Sequence, residues 1–409
     1  MVDRGNRRQV EDVRTGNRAL LLSIARERRT VSRPELVERS GLSVATAYGI
    51  ADELQRAGVL VDAGSGESNG GRRPQLLRFE PSAWFALGVE MGERDLHAVL
   101  TDLDGRIVQR EGRVAADTDV QAVLETTTAC VQRLAAFVPP GRILGLGFAT
   151  PGLVDMDSGV IRGAAGYDWH NVPLAALLAR QTGLPVQLAN RSKAAALGEY
   201  YRGAGIGARF LVYLYVGHGI AAGFLQDGEI YGGANSSAGE VGHIAIERDG
   251  LLCECGNRGC LHTVASGMAL LERARSRLGA DSGLGALLRA RCQGDLTRLT
   301  TVDLAEAANA GDVIARPLVL ESGRSIGFAA ATIVNLLNPD RLIIGGPLAE
   351  AGPLFFDAVR EEARRHALPV PFGAVEICRT TLGSDARSIG AASLVLRRAA
   401  DRVVAPDRP

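Results

Sequence analysis

Residues 239–266 read Gly-Glu-Val-Gly-His-Ile-Ala-Ile-Glu-Arg-Asp-Gly-Leu-Leu-Cys-Glu-Cys-Gly-Asn-Arg-Gly-Cys-Leu-His-Thr-Val-Ala-Ser, the most specific stretch of this 409-residue chain. Within it, one imidazole and three thiols are supplied by His243, Cys253, Cys255 and Cys260. Tetrahedral Zn²⁺ accepts this donor set, and the intervening glycines permit the sharp turns that would wrap the ion. Because four protein ligands close the coordination shell, we expect a structural ion; the alternative is a set of three unrelated buried thiols.

Apolar runs on both sides of this stretch predict alternating strands and helices. Phe85–Gly92 reads as a strand, Leu96–Asp102 as its antiparallel partner, and a helix is expected over residues 120–137. Further strands are expected at Ile143–Phe148, Val186–Ala189, Phe210–Val216, Ala222–Leu225 and Leu342–Ile344, and a further helix at Ala386–Arg398. An antiparallel meander, a helix and a parallel strand, repeated in two halves, predict a two-lobed α/β fold with a cleft between the lobes.

The first 80 residues predict a different unit, with three short helices and a β-hairpin. Ser32-Arg33-Pro34-Glu35 is a capping box that starts the second helix, and Gly41 suits the sharp turn that ends it. Ser43 caps a third helix that runs to about Ala57. Helix, short turn and helix is the geometry that places the second of the two helices in the major groove of DNA.

The outward face of the third helix is the predicted DNA-reading surface. Helical spacing turns five apolar residues towards the core, namely Val44, Ala47, Ile50, Ala51 and Leu54. The residues left facing outward near its start are Ser43, Ala45, Thr46, Tyr48 and Gly49. Arg72 and Arg73 lie at the tip of the hairpin, the wing, where they suit phosphates or a narrow minor groove. The alternative is a small helical interaction domain whose arginines are merely solvated.

The composition is that of an ordinary globular protein. Hydrophobic residues make up 46% of the chain and charged residues 22%, and the formal net charge is zero. The first 80 residues contain 14 arginines and 11 acidic residues, a small basic excess that permits nucleic-acid binding without establishing it. The N-terminus lacks the apolar segment of a signal peptide, no run is long enough to span a bilayer, and six cysteines do not resemble a disulfide framework. We therefore expect a cytoplasmic protein.

The quoted stretch resembles the ROK family of repressors, open reading frames and sugar kinases, whose signature is Gly-Glu-x-Gly-His followed by Cys-x-Cys-Gly-x-x-Gly-Cys. Segments similar to the family also occur at residues 149–155, Ala-Thr-Pro-Gly-Leu-Val-Asp, and at residues 335–340, Asn-Leu-Leu-Asn-Pro-Asp. The N-terminal pattern, with Gly-Arg-Arg-Pro at residues 71–74, is similar to the DNA-binding domain of the family's xylose and N-acetylglucosamine repressors. The resemblance covers nearly the whole chain and implies an N-terminal winged helix-turn-helix followed by the actin-like, ribonuclease-H-like sugar-kinase fold.

The same resemblance shows which parts of a kinase this sequence lacks. Family kinases carry an Asn-Asp pair after the strand at the cleft, where the Asp takes the proton from the attacking hydroxyl; here the pair is Asn190-Arg191. A guanidinium, with a pKa above about 12, cannot act as a general base near neutral pH. The first phosphate loop of such kinases, Asp-x-Gly-Gly-Thr, is replaced by Glu90–Arg94, with Glu93 at a glycine position. We expect no catalytic residue and no phosphoryl transfer.

Candidate effector contacts also follow from the resemblance, which implies sugar-hydroxyl partners at Asn190, Glu240 and His243. Two further family contacts differ, because His262 stands where glutamate is usual and Gly166 where asparagine is expected. Either the effector is a phosphorylated or otherwise anionic sugar that uses Arg191 and His262, or the sugar binds weakly. A third possibility is a cleft kept only as a dimer scaffold.

Together these features predict the organisation of the chain: a flexible arm (1–13), a winged helix-turn-helix (14–80), a linker (81–85), a ROK effector and dimerisation domain (86–400) and a tail (401–409). We expect a homodimer or tetramer that binds an inverted-repeat operator in double-stranded DNA and responds to a sugar or sugar derivative, with repression as the default role. The alternatives are an ATP-dependent sugar kinase and a regulator controlled by a protein partner while its cleft stays empty.

Overall fold

The computed structural model describes most of the chain, namely residues 2–66, 74–92, 95–115, 118–164, 166–280 and 283–404. The chain divides into two compact units. The first unit is Met1–Asn190 with Ser388–Pro409, and the second unit is Arg191–Arg387. Each unit contains one five-stranded mixed sheet. Among the described residues, no helix is both long enough and apolar enough to cross a membrane.

The N-terminal module, residues 2–66 and 74–79, contains three helices and a three-stranded antiparallel sheet. Its elements are α1 (Val2–Arg28), β1 (Thr30–Ser32), α2 (Arg33–Ser40), α3 (Val44–Arg56), β2 (Leu60–Ser65) and β3 (Gln75–Phe79). Ser32 and Ser43 accept hydrogen bonds from backbone N–H groups in the first turns of α2 and α3, as predicted, and Gly41 ends α2 with a φ of 66°. Two features were not predicted: β1 adds a third strand to the hairpin, and α1 begins at Val2, within the segment that we expect to be an arm.

The sheet of the first unit has the order β11-β7-β4-β5-β6. Its region comprises β4 (Phe85–Met91), β5 (Asp95–Asp102), β6 (Ile107–Ala115), α4 (Val120–Ala135), β7 (Ile143–Thr150), β8 (Leu153–Asp155), β9 (Val160–Gly163), β10 (His170–Val172), α5 (Leu174–Thr182) and β11 (Val186–Asn190). The first three strands form the predicted antiparallel meander, and β7 and β11 add in parallel. Strands β8, β9 and β10 form a separate small sheet that was not predicted, because strands of three or four residues leave little periodicity.

The second unit repeats this arrangement in the sheet order β14-β13-β12-β15-β16. Its elements are α6 (Arg191–Arg202), β12 (Phe210–Val216), β13 (Ile220–Gln226), β14 (Glu229–Ile230), α7 (Leu261–Ala265), α8 (Gly267–Ala280), α9 (Ala286–Arg291), α10 (Thr301–Asn309), α11 (Ala315–Leu337), β15 (Arg341–Gly345), α12 (Pro353–His366), α13 (Pro369–Ala374) and β16 (Glu376–Arg379). Apolar side chains of the sheet pack with those of α11 and α12, for example Leu214 and Ile344 with Leu318 and Phe355.

Two C-terminal helices, α14 (Ala386–Leu396) and α15 (Ala399–Val404), return to the first unit. Gly147 lets α14 lie directly against β7, because a Cβ at this position would overlap the carbonyl oxygen of Ala391. Val395 and Val403 share one apolar core with Leu54 of α3 and with Trp84. Trp84 lies in the segment expected to be a linker, so this segment is packed against the N-terminal module.

Candidate functional site

Four potential metal ligands gather in the long loop that follows β14. The ligand atoms of His243, Cys253, Cys255 and Cys260 all lie within 4.8 Å of one another. The distance from Cys253 Sγ to His243 Nδ1 and the distance from Cys255 Sγ to Cys260 Sγ are both 3.6 Å. A tetrahedral ion with bonds of about 2.0–2.3 Å would separate its ligands by roughly 3.4–3.8 Å. The geometry therefore fits a metal ion held by one imidazole and three sulfurs.

The backbone of this loop explains why the donors converge. His243 ends a short 3₁₀ turn, Val241–His243, and Cys260 directly precedes α7. Between the ligands, Gly259 has a φ of 65°, and a Cβ there would overlap the carbonyl oxygen of Glu247. A residue with a side chain at this position would force the two halves of the loop apart.

The surroundings of the sulfurs move their pKa values in opposite directions. Burial raises the pKa of the Cys260 thiol to about 12, and the neighbouring sulfurs add to this effect. A backbone hydrogen bond from Asn257 lowers the pKa of Cys255. Cysteine binds metals as the thiolate, so a cation at the cluster would counter the rise at Cys260 by stabilising the negative charge.

One candidate sugar contact, Asn190, lies in the first unit. It ends β11, and its side-chain Nδ2 donates to the carbonyl oxygen of Gly152 at 2.9 Å. Gly166, at the position where the resemblance leads us to expect asparagine, has a φ of 79° and no atom within 4 Å of the place a Cβ would occupy. This position therefore contributes no polar side chain.

The other four candidates lie in the second unit. Arg191 is the first residue of α6 and is half-buried, and Glu240 is exposed beside the 3₁₀ turn that carries His243. The imidazole rings of His243 and His262 stack with centroids 5.9 Å apart and planes 12° apart. Burial lowers the pKa of His262, while the carboxylate of Glu254 opposes this change. His262 therefore stacks on one of the four metal-ligand candidates, His243.

The residues that stand in place of the first phosphate loop begin on β4. Glu90 is buried on β4, whereas Glu93 and Arg94 lie outside the described residues. In the second unit the corresponding turn links β12 to β13, where the N–H of Gly217 donates to the carbonyl oxygen of Gly219 at 3.0 Å. This turn contains two glycines, Gly217 and Gly219.

The tip of α3 presents three of the six predicted DNA contacts. Ser43, Ala45 and Thr46 are exposed there. Tyr48 is half-buried, and the guanidinium of Arg33 stacks over its ring at 5.4 Å. The other two predicted contacts, on the wing, lie outside the described residues; they are Arg72 and Arg73.

Val44 corrects one prediction about this helix. The other four residues expected in the core are buried, but Val44 is 57% exposed. It is the first residue of α3, and helical spacing predicts which face a residue occupies but not where the helix extends beyond its packing partners. An apolar side chain therefore projects from the tip beside Ser43 and Ala45.

Comparison with known proteins identifies the family. Residues 86–398, well over half of the chain, match the profile of the family described as the ROK family. The chain belongs to the ROK family.

Both regulators and kinases of this family are similar to the chain. A xylose repressor of Caldicellulosiruptor bescii is 30% identical over 383 residues, which cover 93% of this chain and 95% of that protein. A glucokinase of Halalkalibacterium halodurans is 33% identical over 324 residues, which cover 76% of this chain and 94% of that enzyme. The crystal structure of a ROK family transcriptional regulator, a homolog of the Escherichia coli Mlc protein, matches with a TM-score of 0.83 at 27% identity, covering 96% of this chain and 99% of that chain.

The matches to the regulator and to the glucokinase cover different shares of the chain. The ROK profile begins at residue 86, after the N-terminal module. A match over 96% of the chain must include most of that module, whereas a match over 76% can omit it. The match to the regulator therefore extends over most of the N-terminal module as well as the ROK region, whereas the match to the glucokinase covers 76% of the chain.

Lys193 is a buried cation that the sequence analysis missed. It lies in the first turn of α6 and is only 3% exposed, and its Nζ donates to the carbonyl oxygen of Ser236. Burial lowers the pKa of Lys193, while the charge of Glu240 opposes this change. The contact ties α6 to the loop that leads to Glu240. The only sequence signal was that no other lysine occurs in the chain.

Glu199, also on α6, is a second buried charge that we did not predict. Its carboxylate accepts hydrogen bonds from the backbone N–H of Ala204 at 2.7 Å and of Leu382 at 3.2 Å. The hydroxyls of Thr380 and Thr381 donate to it as well. Glu199 therefore fixes the segment between β16 and α14 onto α6.

The C-terminal end of α3 is held by residues outside the N-terminal module. The carbonyl oxygen of Ala57 accepts from Trp84 Nε1 at 2.9 Å and from Arg142 Nη1 at 3.3 Å. The Arg142 guanidinium also stacks over the Trp84 ring at 4.9 Å. Residues next to β4 and β7 thereby position the helix whose tip is exposed.

Proposed function

We propose that this ROK protein is a sequence-specific DNA-binding transcriptional regulator of carbohydrate metabolism, acting by default as a repressor. The observation that carries the proposal is that the xylose repressor and the solved regulator match the N-terminal module, which the shorter match to the glucokinase does not require. An exposed helix tip that follows a sharp turn at Gly41 supports a helix-turn-helix. A regulator needs such a module, and a sugar kinase does not.

The N-terminal module acts in this proposal as a winged helix-turn-helix. Two copies in a homodimer or tetramer bind the halves of an inverted repeat, with α3 in the major groove. Ser43, Ala45 and Thr46 lie close to the bases, with Tyr48 further along the helix. The wing arginines, Arg72 and Arg73, contact phosphates or a narrow minor groove.

The kinase-like part senses a sugar or sugar derivative without phosphorylating it. Arg191 stands where a general base is required, and a guanidinium stays protonated at any physiological pH. The effector residues are Asn190, Glu240, His243 and His262, with Arg191 as a partner for an anionic group. Because an effector can shift an equilibrium only by binding one state better, it must favour either the DNA-binding or the released conformation. The protein acts in the cytoplasm, where the operator is.

His243, Cys253, Cys255 and Cys260 hold a structural Zn²⁺ ion in this proposal. The 3.6 Å separations of the ligand atoms and the set of one nitrogen and three sulfurs support zinc. When bound, the ion cross-links the loop. The chain then fixes the orientation of the His243 ring against that of His262. These two rings form one wall of the proposed effector site.

Genome-wide capture of DNA bound to the full-length protein tests this function. We expect discrete sites that share an inverted repeat and lie near genes of carbohydrate use. Ala45→Glu places a negative charge at the tip of α3 and should abolish capture through phosphate repulsion. Ala136→Glu, at an exposed position after α4, is the matched control and should leave capture unchanged. Reproducible absence of sites for the unaltered protein would contradict the proposal.

The glucokinase match supports one rival, an ATP-dependent sugar kinase. Incubation with ATP and a panel of hexoses and pentoses should release no ADP above the sugar-free blank. Arg191→Asp restores a carboxylate at the position of the base. Its ADP release measures how far Arg191 alone prevents phosphoryl transfer. Turnover by the unaltered protein would refute the regulator proposal. If calorimetry finds no heat with any sugar or sugar phosphate, a protein partner becomes the better candidate for the signal.

A further inference from the structure

The tip of α3 exposes methyl groups in the place where a DNA-reading helix meets base edges. Val44 is 57% exposed and Ala45 is exposed beside it. The hydroxyls of the flanking Ser43 and Thr46 lie 2.8 Å apart, and Ser43 Oγ also accepts from the Thr46 N–H. The Ser43 oxygen therefore caps the helix, and one hydroxyl hydrogen is shared between the two side chains.

The side chains that read bases through paired hydrogen bonds are scarce on this helix. Arginine or lysine recognises guanine in this way, and asparagine or glutamine recognises adenine. In α3 these types occur only as Gln55 and Arg56, both in the last turn. Gln55 Oε1 accepts from Arg33 at 2.5 Å, and Arg56 Nε donates to the carbonyl oxygen of Asp52 at 3.3 Å. The first two turns of α3 therefore contain no side chain suited to a paired hydrogen bond with a base.

Arg33, which lies beside this surface, already has other partners. Arg33 donates to the carboxylate of Asp52 and to the amide of Gln55, and it stacks on Tyr48. These contacts hold the guanidinium along the side of the helix. Among the described residues of the tip, the methyl groups of Val44 and Ala45 offer an apolar contact for direct readout.

We propose that Val44 reads a thymine in each half of the operator through the 5-methyl group of that base. Thymine alone among the four bases carries a methyl group in the major groove, and an apolar side chain recognises it by removing apolar surface from water. The N-terminal residues of a recognition helix are those that contact base edges. This inference rests on the DNA-binding function proposed above and assigns the chemistry of one contact.

Removing the methyl group from the DNA and from the protein in turn tests the contact. The full-length protein first selects its site from a random-sequence library, and each thymine of that site is then replaced by uracil, which lacks only the 5-methyl group. For the unaltered protein, one uracil position in each half-site should weaken binding about fourfold, the value of one buried methyl group. Val44→Ala removes the contact in both half-sites at once, so the thymine site should bind at least about sixteenfold more weakly. In this variant the same uracil should change the affinity less than twofold.

A matched control separates the contact from general effects of losing an exposed valine. Val108 on β6 is 47% exposed, and Val108→Ala should keep the full sensitivity to uracil. Because Val44 is exposed, Val44→Ala should unfold at the same temperature as the unaltered protein, which excludes misfolding as the cause of weaker binding.

The possible outcomes distinguish this inference from the function on which it rests. Failure to select any sequence would contradict the DNA-binding function itself. A selected site in which no uracil weakens binding would overturn the role of the methyl group alone. Sensitivity to uracil that persists in Val44→Ala would assign the methyl contact to another side chain and would also overturn the inference.

Discussion

The two five-stranded sheets have the same strand order but support different chemistry. In each, an antiparallel meander of three strands is extended by two parallel strands, β7 and β11 in the first unit and β15 and β16 in the second. The first sheet packs against α14, which shares a core with the N-terminal module. The second sheet leads into the loop with the metal-ligand cluster and packs against α6. The same sheet arrangement thus supports the N-terminal module through α14 in the first unit and the metal-ligand cluster in the second. The helices and loops attached to each sheet make this difference.

The sheets also receive their helices in the same way. A Cβ at Gly147 on β7 would overlap the backbone of Ala391 in α14, and a Cβ at Gly223 on β13 would overlap the backbone of Ser192 in α6. In both units, glycine lets a helix approach the sheet more closely than a side chain would allow. We therefore predict that loss of a metal-ligand candidate affects only the loop of the second unit. A side chain in place of the glycine, in contrast, should disturb the contact between helix and sheet in both units.

The largest expected effect is loss of the proposed zinc ion from the second unit. Cys260→Ser removes one of four ligands, so zinc should be lost and the loop should unfold, because structural zinc contributes on the order of 10 kcal/mol to such sites. Elemental analysis should find one zinc per unaltered chain and none in the variant. Amide hydrogen exchange should accelerate around residues 243–262 and not in the first unit. Cys292→Ala, at a buried cysteine outside the cluster, should keep the metal. Stoichiometric zinc in Cys260→Ser would disprove the ligand assignment.

The next effect should come from the buried carboxylate of the second unit. Glu199→Ala leaves several buried donors without an acceptor, so the free energy of unfolding should fall by about 4 kcal/mol. Urea unfolding measures this change. Glu376→Ala removes an exposed carboxylate paired with Arg341 and should cost less than about 1 kcal/mol. Equal losses for the two variants would mean that the hydrogen bonds of Glu199 do not stabilise the fold.

Gly147→Ala should test the helix contact of the first unit. Since the new Cβ meets backbone and not a flexible side chain, α14 must shift, and we expect a loss of about 3 kcal/mol in the free energy of unfolding. Gly223→Ala should cause a comparable loss through α6 in the second unit. Gly112→Ala is the control, because no atom lies within 4 Å of its Cβ position. A neutral Gly147→Ala would show that α14 does not pack on the sheet as described.

The smallest effect should be at the end of α3. Trp84→Phe keeps an aromatic ring against Arg142 but removes the hydrogen bond to Ala57, so the loss should be about 1 kcal/mol. Hydrogen exchange should accelerate at the C-terminal turn of α3. Trp169→Phe removes a similar bond, from Nε1 to the carbonyl oxygen of Thr118, elsewhere in the first unit and should leave α3 unaffected. If both variants change α3 equally, Trp84 has no special role in positioning it.

Most strands and helices could be predicted because their signals are local. Ser43 caps α3 and Phe210–Val216 forms β12, as the sequence indicates. The cysteine spacing likewise predicted a cluster whose members meet in the structure. Lys193 and Glu199 could not be predicted, because their partners Ser236 and Thr380 lie 43 and 181 positions away along the chain. Whether a charged residue is buried depends on tertiary contacts that no periodicity records.

The affinity of the protein for its captured operator, measured with and without sugars, tests whether the chain is a sugar-responsive regulator and not a kinase. Fluorescence anisotropy with a labelled operator gives the dissociation constant, and a parallel assay follows ADP release from ATP. For a sugar-responsive regulator without kinase activity, we expect one sugar or sugar derivative to change this constant by at least about fivefold while no ADP forms. Sugar-dependent ADP release, together with an operator affinity that no sugar alters, would contradict this expectation.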